Sequence, residues 1–304
     1  MNLDDLRLFV EVAHRGGFAA AARGRNADPS AVSRAIGGLE ARLGVRLFQR
    51  TTRKIALTEA GALFLERLDI LLDDFDGARD DARSVAEGPF GVLRLTASNA
   101  FGPMCIAPLL GEFHERYPKV SIDLTLSDEP LDLVAERIDI AVRLGPSDGP
   151  GIAGVKLFDT RYRVCASAAY LAAAPLAEPA ALATRRSLLF PFADFRNRWT
   201  FVTADGASEI VTVDGDLITS SALSLRAAAI AGVGPTLLPH WLVDADIARG
   251  DLVDVFPEFQ VSATTFDTAA WLLYPSRAYM PAKVAAMSKF LLARLRSRYA
   301  PSPR

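Results

Sequence analysis

The sequence predicts an α/β protein with an N-terminal all-α unit, a linker helix and a two-lobed α/β domain. Apolar residues follow helical spacing in the first 58 residues, a 3.5-residue apolar repeat continues from there to Gly88, and strands alternate with helices beyond Pro89. The chain has 304 residues and is 50% hydrophobic, so it is long enough for two or three domains with their own cores.

Charge is distributed unevenly along the chain. Residues 1–58 contain ten Lys/Arg and five Asp/Glu, residues 59–87 contain three and nine, and the remaining residues contain 21 and 22. The net charges are therefore +5, −6 and −1, so the formal charge of −2 for the whole chain hides a basic N-terminal part. Such a segment is typical of a surface that binds nucleic acid, although an ordinary solvated surface also accommodates it.

Three helices are predicted in the N-terminal part. The first spans Leu3–Ala13 and ends at two glycines, and the second follows from Phe18 to Arg23. The third begins at Asp28, whose carboxylate can cap the helix, and Pro29 suits its first position. Its buried stripe is predicted to consist of Val32, Ile36, Leu39 and Leu43.

The outer face of the third helix is small and polar. At 100° per residue, Ser30, Ser33, Arg34, Gly37 and Ala41 lie opposite the buried stripe. A helix that enters a DNA groove needs such a face, because it must fit closely and offer hydrogen-bond donors to base edges and phosphates.

A basic wing is predicted after this helix. Residues 45–48 alternate like a strand, residues 49–54 form a turn rich in cations and hydroxyls, and Ile55–Leu57 forms the return strand. A polar helix followed by such a wing is the winged form of the helix-turn-helix. The predicted DNA-binding residues are Ser30, Ser33, Arg34 and Gly37 of the helix and Arg50, Thr51, Thr52, Arg53 and Lys54 of the wing.

The motifs AVSRAI, LEARLGVRLFQR and LTEAG lie in this order between Leu3 and Gly61. They resemble the DNA-binding domain of the LysR-type transcriptional regulators, and later segments are similar to that family's effector domain.

Two features depart from the family pattern. Arg25 and Ala27 stand where leucines are usual, which predicts thinner apolar anchoring between the second and third helices. Gly37-Gly38 either lets the helix approach DNA closely or is a neutral change on a solvated face.

A long linker helix is predicted from Thr58, which caps it, to Gly88-Pro89, which ends it. Its apolar residues are separated alternately by three and four positions: Gly61, Phe64, Leu68, Leu71, Phe75, Ala78, Ala82 and Val85. This repeat predicts pairing with the same helix of a second copy, and the alternative is packing along its own effector domain. Aspartates between residues 73 and 81 make the solvent side acidic.

The C-terminal part is predicted to be an α/β domain of two lobes. The predicted strands are 92–97, 120–126, 139–143, 162–167, 187–190 and 269–273, and the predicted helices are 108–117, 131–137, 221–231 and 281–298. Strand, helix and strand at this spacing imply parallel pairing with right-handed crossovers. Two lobes joined by two crossings resemble the periplasmic-binding-protein-like fold of LysR-type effector domains.

These elements divide the chain into three predicted domains. The winged helix-turn-helix DNA-binding domain is residues 1–58, the dimerising linker helix is 59–88, and the effector-binding domain is 89–304. Within the last, lobe I is predicted at about 89–162 and 267–304, and lobe II at about 163–266.

A ligand site is expected between the lobes, at the carboxyl ends of strands. Hydroxyls and free backbone N–H groups at helix starts favour an anion such as a carboxylate. The predicted effector-binding residues are Ser98, Asn99, Ser220 and Ser221 as hydrogen-bonding groups, Phe101 and Phe190 as walls, Pro235 in a turn, and Arg143 as a cation. Two alternatives stay open: the serines only cap their helices, and the arginine forms a structural ion pair.

No catalytic or cofactor-binding pattern stands out. His14, His114 and His240 lack metal-ligand spacing to other ligating residues, and the sequence has no P-loop, GxSxG or GxGxxG in the required context. Cys105 and Cys165 are too few for a disulfide scaffold and lie in apolar surroundings. We therefore predict that the chain is not an enzyme and needs no cofactor or metal.

The expected function is that of a transcriptional regulator whose activity responds to a small polar or anionic effector. The acidic N-terminus lacks a signal peptide's apolar core and no run of about 18 apolar residues occurs, so we expect a cytoplasmic protein without membrane contacts. Double-stranded DNA, the effector and a second copy are the expected partners. The family resemblance implies a homotetramer, and RNA polymerase is a further candidate partner. The alternatives are a solute-binding module and an architectural DNA binder without effector response.

Overall fold

The computed structural model describes residues 2–50, 55–129, 131–145, 149, 151–276 and 280–299. The chain divides into two compact units, Met1–Ala86 and Glu87–Arg304. The first unit contains the linker helix as well as the three-helix core, and the domain boundary drawn at residue 58 lies inside this unit and stays a prediction. In the described ranges, no helix is long and apolar enough to cross a membrane.

The first unit is a three-helix core followed by a strand pair and a long helix. Its elements are α1 (Leu3–His14), α2 (Phe18–Gly24), α3 (Pro29–Leu43), β1 (Phe48–Arg50), β2 (Ile55–Leu57) and α4 (Glu59–Glu87). The two strands are antiparallel, with Phe48 opposite Leu57. Three helices and a short hairpin are the architecture expected of a winged helix-turn-helix.

Local signals set both ends of α3, as predicted. The Asp28 carboxylate accepts a hydrogen bond from the backbone N–H of Ser30 at 2.7 Å, and Pro29 occupies the first turn. Gly44 ends the helix with a φ of +72°, a conformation that glycine adopts without strain. The predicted buried stripe is confirmed, with Val32, Ile36 and Leu39 buried and Leu43 half-buried.

The first strand of the wing begins later than predicted. Residues 45–48 were expected to alternate between buried and exposed positions, but Leu47 and Phe48 are both buried. Their backbone N–H groups donate to the Glu40 carboxylate at 2.8 and 3.1 Å, so a side chain of α3 takes the place of a strand partner. The return strand Ile55–Leu57 lies where it was predicted.

The turn between α2 and α3 is held by polar contacts. Arg25 forms an ion pair with Glu11 of α1, and the backbone N–H of Ala27 donates to the Ala22 carbonyl at 3.0 Å. Both Arg25 and Ala27 are exposed, which agrees with the thin apolar anchoring predicted at this point. The ion pair therefore connects the turn to α1 and does not connect α2 to α3.

The predicted apolar seam of α4 divides into two parts. Gly61, Phe64 and Leu68 face the core of the first unit, because the glycine lies against a backbone carbonyl and the two larger side chains join the core cluster. Leu71 and Phe75, further along, are 63% and 49% exposed. The first members of the seam are thus used within the unit, and the exposed part begins near Leu71.

The second unit alternates strands and helices from its first strand onward. Its strands are β3 (Gly91–Ala97), β4 (Val120–Leu126), β5 (Ile140–Leu144), β6 (Ile152–Asp159), β7 (Tyr162–Ala166), β8 (Arg186–Leu189), β9 (Arg198–Val202), β10 (Ser208–Thr212), β11 (Asp214–Ile218), β12 (Thr236–Pro239), β13 (Val253–Asp254), β14 (Gln260–Ser262) and β15 (Ala269–Pro275). Its helices are α5 (Leu110–Arg116), α6 (Ala168–Ala173), α7 (Ala193–Arg196), α8 (Ala222–Ile230), α9 (His240–Arg249) and α10 (Ala282–Tyr299). All six predicted strands are found within two residues of their predicted bounds.

The strands form two sheets, one in each lobe. The first sheet has the order β4-β3-β5-β15-β6, and β3 is parallel to both β4 and β5 as predicted. The second has the order β10-β9-β14-β7-β12-β8-β11, with β13 beside β7. Two segments cross between the lobes, and they are joined by hydrogen bonds between Thr160 and Thr268 at 2.7 and 2.9 Å. The strand Ala269–Pro275 returns to the first sheet, which agrees with the sequence prediction.

The predicted helix at residues 131–137 is wrong. Residues 133–137 form a turn, because the Asp132 carboxylate accepts the N–H groups of Val134 and Ala135 and Arg137 adopts a φ of +53°. A positive φ ends a right-handed helix, so the segment completes only one turn.

Candidate functional site

The outer face of α3 is open in the first unit. Ser30, Arg34 and Ala41 are exposed, and Ser33 and Gly37 are half-buried. An outward-facing row of small and polar side chains satisfies the steric demand of groove entry.

Arg34 is the arginine on the outer face of α3. Arg7, Arg15, Arg25 and Arg42 are each paired with a carboxylate of the same unit. Within the part of the chain that the structure describes, the Arg34 guanidinium has no such ion pair or hydrogen bond. Its charge is therefore available to an external anion.

Packing within the first unit does not require a glycine at Gly38 of α3. A Cβ at that position would meet only the Arg42 side chain, at 3.8 Å. Nothing in the unit therefore explains the glycine, and both interpretations, a close approach to DNA or a neutral change, stay open.

The predicted contacts of the wing stay predictions. Thr51, Thr52, Arg53 and Lys54 lie outside the described residues, and for Arg50 only the backbone, in β1, is described.

A cavity of about 350 Å³ lies between the lobes of the second unit. Six of the predicted effector-binding residues line it: Ser98, Asn99, Arg143, Phe190, Ser220 and Ser221. They come from the ends of β3, β5 and β8 and from the start of α8, so the edges of both sheets contribute. This is the location expected for a ligand in an α/β fold.

The structure corrects two of the predicted placements. Phe101 is 1% exposed and does not line the cavity, and its ring meets the Trp241 ring edge-on at 5.0 Å. Pro235 is buried immediately before β12, where its carbonyl accepts the N–H of Leu188 at 2.8 Å. Phe101 therefore supports the cavity wall from behind, and Pro235 bonds to β8 at the entry to β12.

The serines at the cavity also cap local structure. Ser98 Oγ accepts the N–H of Phe101 at 3.1 Å, and Ser221 Oγ accepts the N–H of Ser224 at 3.2 Å. The capping alternative thus holds for both residues, although each also lines the cavity. No hydrogen bond of the Ser220 hydroxyl is found in the described ranges, so this hydroxyl is the one most available to a ligand.

Arg143 places a cation at the cavity. Its guanidinium donates to the Val142 carbonyl and to Thr96 Oγ1, each at 3.2 Å, and no carboxylate among the described residues lies within ion-pair distance. Burial lowers the pKa of Arg143, and the nearby charge of Asp128 partly offsets this. The structural ion pair considered from sequence is therefore not found in the described part.

Asp128 is the carboxylate among the described residues that line the cavity. Its two oxygens accept the backbone N–H of Asn99 at 3.0 Å and the Asn99 side-chain Nδ2 at 2.7 Å. Sequence reasoning missed this residue, together with the wall residues Tyr162, Phe192, Phe195 and Trp241. The spacing of the FPFADF segment was a signal that could have indicated two of them.

The remaining reactive side chains have structural environments. Cys105 and Cys165 are buried and free, and burial raises the pKa of the Cys105 thiol to about 12. His240 is buried, its Nδ1 accepts the N–H of Arg161 at 3.1 Å, and burial lowers its pKa. Among the described residues, no cluster of His, Cys, Asp and Glu could hold a metal ion.

Together these features define a class of protein. A polar helix beside a two-stranded wing is a DNA-binding unit, and a two-lobed α/β unit with a cavity at its strand ends is a ligand-binding unit. A chain that carries both is a ligand-responsive DNA-binding regulator. The family described as "Bacterial regulatory helix-turn-helix protein, lysR family" matches residues 3–62, and "LysR substrate binding domain" matches residues 86–296. The chain belongs to the LysR-type transcriptional regulators.

Individual relatives agree with this assignment. The probable HTH-type transcriptional regulator LtrA of Klebsiella pneumoniae is 34% identical over 296 residues, which cover 96% of this chain and 95% of that protein. The regulator PtxR of Pseudomonas aeruginosa is 34% identical over 294 residues, or 96% and 92% of the two chains. The solved structure of CrgA, a LysR-type regulator from Neisseria meningitidis, has 33% identity and a TM-score of 0.61, covering 97% of this chain and 99% of that chain. These relatives are regulators and not enzymes, and so is this chain.

Proposed function

We propose that residues 1–58 bind operator DNA through Ser30, Ser33, Arg34 and Gly37 of α3 and through Arg50–Lys54 of the wing. The observation that carries this proposal is the exposed polar face of α3, on which the Arg34 guanidinium has no ion pair or hydrogen bond within the described residues. A regulator of this kind acts on chromosomal DNA, so a cytoplasmic location is part of the proposal.

Arg34→Ala tests the DNA contact. If the guanidinium reads a base, we expect the variant to lose about 1–3 kcal/mol of binding free energy on the operator alone. If it contacts phosphate, we expect an equal loss on every duplex. Fluorescence anisotropy with the duplex upstream of the coding region and with an unrelated duplex of equal length measures both. Arg198→Ala, an exposed arginine of the second unit, is the matched control and should change neither. Unchanged binding of Arg34→Ala to both duplexes removes this residue from the interface.

We further propose that residues 89–304 bind a small polar or anionic effector in the cavity between the lobes. The support is that Ser98, Asn99, Arg143, Ser220 and Ser221 all reach one cavity and that Arg143 has no carboxylate partner there in the described ranges. The effector must bind one arrangement of the protein more tightly than another in order to regulate it. A purely architectural DNA binder would show no ligand at this site.

The exposed part of α4 is proposed to join two copies of the chain. Leu71 and Phe75 lie four residues apart on the helix and are both largely exposed, so their apolar surface is available to the same helix of a partner. A homotetramer and contact with RNA polymerase extend this proposal and rest on family membership.

Phe75→Glu tests this pairing. A charge in an apolar helix interface is desolvated without a partner, so we expect the dimer to dissociate about tenfold or more readily. Sedimentation of the full chain measures the change. Phe266→Glu, at an exposed phenylalanine of the second unit, is the control and should sediment like the wild type. A monomeric wild-type chain at working concentrations contradicts the proposal.

A further inference from the structure

One side of the cavity is built from aromatic rings. Phe190, Phe192, Phe195, Tyr162 and Trp241 all line it. The Phe190 ring stacks on the Phe192 ring, with centroids 5.8 Å apart and planes 22° apart, and it meets the Phe195 ring edge-on at 5.7 Å. Because the Phe190, Phe192 and Phe195 rings hold one another, they form an apolar wall of fixed orientation.

The Phe192 ring of this wall is not covered by other side chains over its whole surface. The residue is 53% exposed although it lines a concave site, so an apolar ring surface faces the open cavity. A ligand gains binding free energy in proportion to the apolar area that it removes from water there, and a flat ring covers the most area of a phenyl face.

The charge at the cavity favours one anionic group. Arg143 is the cation among the described lining residues, and the carboxylate of Asp128 is already bonded to Asn99. Asp128 would repel a second anionic group close to it. Burial raises the pKa of Tyr162 to about 12, so its phenol stays protonated at neutral pH and can only add a hydrogen bond.

We propose that the effector is an aromatic carboxylate, with its ring against Phe192 and its carboxylate on Arg143 and the Ser220 hydroxyl. The proposal rests on the proposed effector function of the cavity. The cavity volume of about 350 Å³ leaves room for a substituted ring.

Two other ligand classes fit less well. An aliphatic dicarboxylate would bring two charges to a cavity with one described cation, and it would leave the Phe192 ring uncovered. A neutral aromatic molecule would cover the ring but leave the half-buried guanidinium of Arg143 without an anion. An aromatic carboxylate satisfies both groups at once.

Isothermal titration calorimetry of the full-length protein distinguishes these classes with three probes: benzoate, benzamide and succinate. We expect benzoate to bind about tenfold or more tightly than the neutral benzamide, because only benzoate pairs with the guanidinium. Succinate should also bind about tenfold or more weakly than benzoate, because it cannot cover the aromatic wall.

Two pairs of variants locate the binding. Arg143→Gln should weaken benzoate binding about tenfold or more, whereas Arg116→Gln, an exposed arginine outside the cavity, should not. Phe192→Ala should weaken benzoate binding about threefold to tenfold, and Phe266→Ala, its control, should leave benzoate binding unchanged. Because Phe192 is exposed, its variant keeps the test valid if Arg143→Gln does not fold.

The outcomes separate the ligand class from the site. Succinate binding that is tighter than benzoate binding and sensitive to Arg143→Gln overturns the aromatic class but leaves the effector cavity in place. Benzoate binding that is unchanged in both Arg143→Gln and Phe192→Ala overturns the proposal, because the ligand then lies elsewhere. Binding of none of the probes also overturns it, and the DNA-binding part of the proposed function is then judged separately by Arg34→Ala.

Discussion

Asp246→Ala is expected to lower the free energy of unfolding of the second unit by about 3 kcal/mol. The Asp246 carboxylate is fully buried in α9 and accepts hydrogen bonds from Arg226 of α8 and from Arg249 of its own helix. Removing it leaves the mostly buried Arg226 guanidinium without its anion, whereas Arg249 keeps its ion pair with Asp251. The loss of a buried partner costs far more than the loss of an exposed ion pair.

Urea unfolding followed by tryptophan fluorescence measures this effect. All three tryptophans, Trp199, Trp241 and Trp271, belong to the second unit, so their emission reports that unit alone. Asp216→Ala is the control, since the Asp216 side chain is 78% exposed in its ion pair with Arg186, and its change should stay within about 0.5 kcal/mol. Equal free energies of unfolding for the two variants would show that the buried ion pairs do not stabilise the packing of α8 against α9.

Gly61→Ala should destabilise the first unit by about 1–3 kcal/mol. A Cβ at Gly61 would lie 2.0 Å from the Leu47 carbonyl oxygen, which is a backbone atom and cannot move aside as a side chain can. The same carbonyl accepts the N–H of Thr58 at 2.9 Å, at the start of α4. The substitution therefore separates the linker helix from the base of the wing.

Gly77→Ala supplies a matched control in the same helix. Nothing lies within 4 Å of a Cβ at Gly77, so alanine there should stabilise the helix by up to about 1 kcal/mol. Hydrogen exchange of the α4 amides in the full chain measures both effects, with faster exchange expected for Gly61→Ala and slower exchange for Gly77→Ala. If both variants protect these amides equally, the close packing at Leu47 does not stabilise the unit.

The elements that the sequence predicts well are those whose ends depend on neighbouring residues. Asp28, Pro29 and Gly44 set the ends of α3 by local hydrogen bonding and backbone preference, so the prediction needed no tertiary information. The start of the first wing strand was predicted wrongly, because the Glu40 side chain of α3 binds the backbone N–H groups of Leu47 and Phe48, and hydrophobic alternation does not reveal such a contact. The prediction for the linker seam was wrong in part, because Gly61 and Leu68 have the spacing of coiled-coil positions but pack within their own unit.

The cavity was predictable where its residues follow strands. Ser98, Asn99, Arg143 and Phe190 come at strand ends, and the topology of parallel sheets brings such ends together. Phe192 and Phe195 follow in a loop and a single helical turn, where apolar spacing has no period to reveal which way the rings face. Asp128 was also missed, because only the fold shows that it binds Asn99 across the sheet edge.

Nuclease footprinting on the DNA immediately upstream of the coding region tests most directly whether paired copies of α3 read one duplex. We expect two protected half-sites on the same face of the DNA, about 10 base pairs or a multiple apart, and weaker protection with Arg34→Ala. No protected region at low salt, or a single half-site that Arg34→Ala leaves unchanged, would contradict it.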